Sequence, residues 1–149
     1  MFALKKILIV SLAVITLASC KKSSSDSQHV SAKFDGVKTE FNVALAAQSS
    51  NAGKSVQIVA TGGTPYPALV LTIDDDAAIA VGTYTASPDF DAGASYAVSS
   101  DSYDSNDDFT ITVTSISATA IKGTFSGKVE NSSSTTVNVT EGSFYVNFQ

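Results

Sequence analysis

From Val30 onward, apolar and polar residues alternate with a period of two along most of the chain, the pattern of strands buried on one face. The clearest instance is Val30 to Phe41, where Val-Ser-Ala-Lys-Phe and Val-Lys-Thr-Glu-Phe flank Asp35-Gly36. Asp-Gly between alternating runs predicts a type I′ hairpin, because both central residues of that turn need positive φ. A two-residue turn pairs Phe34 with Val37, Ala32 with Thr39 and Val30 with Phe41. It puts those six residues on one inward face and leaves Ser31, Lys33, Lys38 and Glu40 in water. Lys33 then opposes Lys38, a small penalty that a diagonal pair of Lys33 with Glu40 relieves.

Further strands follow the same logic. Ser55 to Thr61 precedes the breaker Gly62-Gly-Thr-Pro-Tyr-Pro67, and Ala68 to Ile73 is apolar on nearly both sides, as for a strand covered on both faces. Asp74-Asp75-Asp76 stops it. Gly82 to Ala86 and Ala94 to Val98 are expected strands, and Asp101 to Asp108 reads as an acidic loop. Alternation returns in Phe109 to Thr114, with Phe109, Ile111 and Val113 inward and three threonines outward. The closing strands flank Asn131 to Ser134. Ile121, Gly123, Phe125, Gly127 and Val129 share a face, as do Val137 and Val139, but then the inward residues become Phe144, Val146 and Phe148. That change of parity requires one extra residue, so a β-bulge is expected at Glu141-Gly142, with the glycine supplying its φ. No 3.6-residue period competes, and the fold expected for residues 30–149 is all-β, an antiparallel β-sandwich of about 8–9 strands.

The beginning of the chain is different. Lys5 and Lys6 precede the apolar run Ile7 to Leu17, followed by Ala18, Ser19 and the single cysteine, Cys20. A run of about 11 residues at ~1.5 Å each covers only about half of a ~30 Å hydrocarbon core, which fits a signal peptide rather than a spanning helix. Leu17-Ala18-Ser19-Cys20 resembles the lipobox of bacterial lipoproteins. The resemblance implies cleavage before Cys20, a diacylglyceryl thioether on its sulfur and a further acyl chain such as palmitate. Two or three such chains anchor stably where one holds marginally, at roughly 0.8 kcal/mol per buried CH₂. The expected organisation is a lipoprotein signal peptide over 1–19, lipidated Cys20 and a flexible, serine-rich tether over 20–29, and the domain over 30–149. The expected location is the cell envelope, lipid-anchored at the outer membrane, with the periplasmic or surface side open.

Phe34-Asp-Gly, Gly82-Thr-Tyr, Ile121-x-Gly-Thr-Phe-x-Gly and Val137-x-Val-Thr-x-Gly-x-Phe together resemble small Bacteroidetes lipoproteins that carry a domain of unknown function. The resemblance implies an all-β sandwich on a lipid anchor and brings no catalytic residues.

Composition narrows the chemistry. Beyond residue 19, seven lysines stand against fourteen acids, a balance of −7, and arginine is absent. Such a surface does not suit nucleic acid, whose phosphates want Lys/Arg patches, although Lys21 and Lys22 lie where a lipid headgroup would be. The single histidine, His29, falls in the tether region and the single thiol at the anchor, so a Ser-His-Asp or Cys-His arrangement and a zinc site are excluded from the domain. The expectation is a non-enzymatic binding or structural module with a protein or glycan ligand.

Three chemistries stay open. Asp101, Asp104, Asn106, Asp107 and Asp108, joined by Asp74 to Asp76 if the fold brings them together, offer hard oxygens for calcium, although their spacing is not that of an EF-hand. Tyr66 and Tyr103, with Tyr84, Phe90 and Tyr96, are candidate stacking platforms for a glycan. A glycosidase needs only two carboxylates, about 5 Å apart or about 6.5–9.5 Å apart, with one of them in a cleft.

Overall fold

The computed structural model describes residues 27–48, 53–63, 67–87 and 91–149. They form eleven strands: β1 (His29–Phe34), β2 (Val37–Phe41), β3 (Val43–Gln48), β4 (Ser55–Thr61), β5 (Ala68–Asp74), β6 (Gly82–Thr85), β7 (Ala92–Val98), β8 (Asp101–Ser105), β9 (Thr110–Ile116), β10 (Ala120–Glu130) and β11 (Thr136–Asn147). No helix occurs among the described residues. The leader, Cys20 and most of the tether lie outside them, and His29 is the first residue of β1.

The first hairpin has the expected register, with Val30 opposite Phe41, Ala32 opposite Thr39 and Phe34 opposite Val37. Asp35 and Gly36 take φ of 47° and 82°, the signs a type I′ turn demands. Asp35 also docks the turn on β11, its Oδ1 accepting from the Asn138 backbone N at 2.8 Å. The inward face is shorter than expected: Val37 is 69% exposed, because the tip projects past the core. Lys33 pairs with Glu141 at 2.7 Å and Lys38 with Glu40 at 2.6 Å, replacing the diagonal Lys33 to Glu40 pair.

The bulge in β11 explains that exchange. Against β10, Phe125 faces Gly142 and Gly127 faces Val139, so Thr140 and Glu141 together oppose Ser126. Against β1, the register slips in the same place, between Ser31 and Lys33. One extra residue therefore serves both neighbours of β11. It turns Val139, Phe144 and Val146 to the core and swings Glu141 out beside Lys33. The left-handed residue is Glu141, at φ 52°, and not the glycine. Gly142 is needed for closeness instead: a Cβ there would lie 2.3 Å from the Phe125 carbonyl oxygen and 2.6 Å from its ring. Gly123 mirrors it, a Cβ there meeting the ring of its partner Phe144 at 2.5 Å. Two phenylalanines thus lie over two glycines on the same ladder, their ring centroids 6.4 Å apart.

Hydrogen bonding links all eleven strands into one sheet, in the order β2-β1-β11-β10-β8-β7-β5-β4-β3, with β9 on β10 and β6 on β9. The two ends of this path, β2 and β3, are separated in the chain only by Asn42, whose backbone N donates to the Thr61 carbonyl at 2.9 Å. The strand therefore leaves one partner, β1, and takes another, β4, at a single residue. A parallel bridge from Ala46 to Phe148 brings the C-terminal end of β11 against β3. The result is a nearly closed antiparallel sheet, where separate sheets of 8–9 strands in all were expected.

Two strands were not expected. β3 lies in Ala-rich sequence, and β8 takes up the first half of the acidic Asp101 to Asp108 segment, with Tyr103 as its one buried residue. β5, expected to be covered on both sides, buries Leu69, Leu71 and Ile73 but leaves Val70 and Thr72 half-exposed. Inside the sheet, Phe34 stacks on Tyr96 with centroids 3.9 Å apart, and no polar or charged residue is buried among the described residues.

A substitution at the bulge checks its logic. Gly142→Ala should lower the unfolding free energy by about 2–3 kcal/mol, since the methyl group has no space beside Phe125. Glu141→Gly should change it by less than about 1 kcal/mol, because relief of the left-handed backbone offsets the lost exposed ion pair. Urea denaturation of both variants tests this; the reverse ranking would refute the assignment.

Candidate functional site

The registers line up outward-facing side chains into rows. Across β6, β9, β10, β11 and β1, Thr83 pairs with Thr112, Thr112 with Thr124, Thr124 with Ser143 and Ser143 with Ser31. Hydroxyls touch at both ends, Thr83 to Thr112 at 3.1 Å and Ser31 to Ser143 at 3.3 Å. Beside it runs a second row, Thr85 to Thr110 to Ser126. Hydroxyl-bearing residues thus recur about every 4.8 Å across the strands and about every 6.6 Å along them. Thr110, Thr112, Thr124 and Ser126 line a shallow, open groove of about 250 Å³, with Glu141 at its rim and Gly142 in its floor. Tyr145, half-buried between His29 and Lys122, stands on the same outer face two residues beyond Ser143.

The opposite outer face is different in kind. Leu45 of β3, Val59 of β4 and Val70 of β5 form one cross-strand row that continues to Ser95 and Asp104. Leu45 is 43% and Val59 37% exposed, a narrow strip of the sort common on monomers.

The expected calcium ligands do not form one set. Asp101 opens β8 opposite Val98, whereas Asn106, Asp107 and Asp108 follow the other end of that strand. The five residues of β8 extend over about 13–16 Å, too far for one ion that holds its oxygens at about 2.3–2.6 Å. The Asp104 carboxylate accepts from the Ser95 hydroxyl at 2.6 Å, Asp108 pairs with Lys128 at 3.4 Å, and the Asn106 side chain accepts from the Asp108 backbone N. Asp74, Asp75 and Asp76 do gather, with Asp91 rather than with β8, around an open concavity of about 420 Å³. There the Asp75 side chain turns back to accept from the Ala77 backbone N at 3.1 Å. Among the described residues, no three His, Cys, Asp or Glu side chains form a group able to hold a metal ion.

Three of the expected stacking platforms lie in the interior. Tyr103, Tyr96 and Tyr84 are each under 10% exposed and belong to the core. Their rings follow the inward parity of β8, β7 and β6, so none is free to meet a sugar. Tyr66 and Phe90 lie outside the described residues. Tyr84 has a structural role, since its hydroxyl donates to the Ala80 carbonyl and accepts from the Ala80 backbone N, both at 3.0 Å, and so clamps the chain that leads into β6. For a carboxylate pair of the glycosidase kind, the structure offers no buried acid among the described residues.

The rows escape a reading of the chain for a definite reason. The T-x-T pattern of β9 is visible in the sequence, but which threonine meets which serine across β10 and β11 depends on the bulge. Tyr145 carries no signal of its own, because parity sends Phe144 inward and leaves its neighbour an ordinary outward residue.

Two measurements follow from this geometry. Millimolar calcium should leave the melting temperature where a chelator leaves it, and a clear upward shift would show that the acids do assemble around an ion. The Tyr96 hydroxyl is pushed above the usual phenol value, chiefly by burial and then by neighbouring Tyr103. Its contribution is therefore whole below a pH of about 10 and is lost as pH rises above it. Tyr96→Phe should flatten the alkaline fall in stability, followed by melting at a series of pH values.

No curated protein and no solved structure matches the chain. A family model does, over residues 26–146, which takes in all the described strands but the last residue of β11. The chain belongs to that family, a domain of unknown function (DUF6252).

Proposed function

We propose that the protein is a lipid-anchored, non-enzymatic module of the bacterial cell envelope, as in the Bacteroidetes lipoproteins its motifs resemble. It is held at the outer membrane through acylated Cys20 and works by contact across its outer sheet surface. The leader and Leu17-Ala18-Ser19-Cys20 support the anchor. The observation that carries the rest is the partition of side chains: among the described residues the core is apolar and no charged group is buried, and the acids at 74–76, 91 and 141 border shallow, open concavities. Enzymes place their acids and bases where water is excluded and proton affinities can be tuned. A surface of this kind is suited to docking. The nearly closed sheet is best read as a flattened, sandwich-like body, because β1 and β7 meet ring on ring across a thin interior.

Metabolic labelling with palmitate tests the anchor. The wild-type chain should take up label and sediment with membranes, and Cys20→Ala should do neither. An unlabelled wild type, or a Cys20→Ala chain that stays with membranes, would overturn the proposal.

A further inference from the structure

We infer that the hydroxyl-lined groove over β9, β10 and β11 binds a neutral polysaccharide. This names a ligand class for the docking surface and rests on the reading of the domain as a binding module, though not on the lipid.

Charge selects the class. A chain with a balance of −7 beyond residue 19 repels polyanions, its aspartates at 74–76 and 91 gather around another concavity, and Asp104 lies in the row of the opposite face. Three acids border the hydroxyl rows, Glu40, Glu141 and Asp108, and each is neutralised by a lysine, Lys38 at 2.6 Å, Lys33 at 2.7 Å and Lys128 at 3.4 Å. What remains, away from Lys122 beside Tyr145, is an uncharged array on a strongly charged molecule. It complements an uncharged polymer.

Hydrogen-bonding capacity narrows it further. Serine and threonine hydroxyls both donate and accept, and so do the hydroxyls of a sugar; the partner that satisfies a row of the one is a row of the other. The spacing of about 4.8 Å between strands is comparable to the length of one pyranose ring, so successive residues of a chain laid across the strands meet successive hydroxyls. The groove is open rather than enclosed, which suits a run of polymer more than a small molecule. Its rim carries the Glu141 carboxylate, held in place by Lys33, with oxygens that can accept from neighbouring sugar hydroxyls. Tyr145, on the same face, adds a ring for the apolar side of a sugar.

Affinity electrophoresis tests this with the full-length chain in a polyoxyethylene detergent, in native gels containing hydroxyethyl cellulose, laminarin or galactomannan, and in gels containing polygalacturonate. At least one neutral polymer should reduce the mobility at least twofold, and polygalacturonate should not. The double variant Thr112→Val/Thr124→Val keeps the shape and strand preference of both positions and should run unretarded with an unchanged melting temperature. Tyr145→Ser, a single change on the same face, should at least halve the retardation. The inference is overturned if no neutral polymer retards the chain, if polygalacturonate retards it equally, or if both variants are retarded as strongly as the wild type. None of these outcomes depends on palmitate labelling, so loss of the ligand class and loss of the anchor are read separately.

Discussion

A strand has two faces and a strict alternation between them, so a strand with neighbours on both sides cannot correct its register without an interruption. β11 meets that constraint with one additional residue. Thr140 and Glu141 occupy the space of one residue against β10, as Glu141 and Gly142 do against β1, and everything after them is rephased at once. The rephasing delivers Phe144 and Val146 to the interior and permits the paired contacts of Phe144 over Gly123 and Phe125 over Gly142. It also projects Glu141 outward, where Lys33 holds it at the edge of the groove. Core packing and surface chemistry thus derive from one local insertion.

Much of this was legible in the chain. Asp35-Gly36 specified its turn and its register because the required backbone signs leave few alternatives, and the parity change located the bulge because phenylalanine at 144 and 148 cannot share a side with Val137 and Val139 unless a residue is inserted. The mechanism of the bulge was not legible. Gly142 looked like the residue with the unusual backbone, and only the distance to the Phe125 carbonyl shows that its value is the absence of a side chain. β8 was hidden for a related reason: Asp, Ser and Asp disfavour strands, and its pairing with β7 and β10 overrides that preference with a single inward ring, Tyr103. The same burial removes Tyr84, Tyr96 and Tyr103 from consideration as platforms. Side chains that look available in a loop become interior once the loop is a strand.

The candidate site was less legible than the fold, since it consists of relations between strands and not of a motif within one. Five of its hydroxyl-bearing residues, at 31, 83, 112, 124 and 143, are spread along nearly the whole domain and meet only through successive registers. A spacing rule applied to one segment cannot find them. The apolar row of Leu45, Val59 and Val70 is assembled in the same manner on the other side, so the two broad surfaces differ in chemistry although neither is encoded by a contiguous stretch.

β1 is fastened along both of its edges, to β2 from Val30 to Phe34 and to β11 from His29 to Phe34. It is also the strand through which the domain joins everything that precedes residue 27. A tug applied at His29 along the strand axis would have to slide β1 past two ladders simultaneously, breaking their bonds in parallel instead of one after another. Mechanical load arriving from the residues before 27 therefore enters the sheet through a strand that resists shear along both edges.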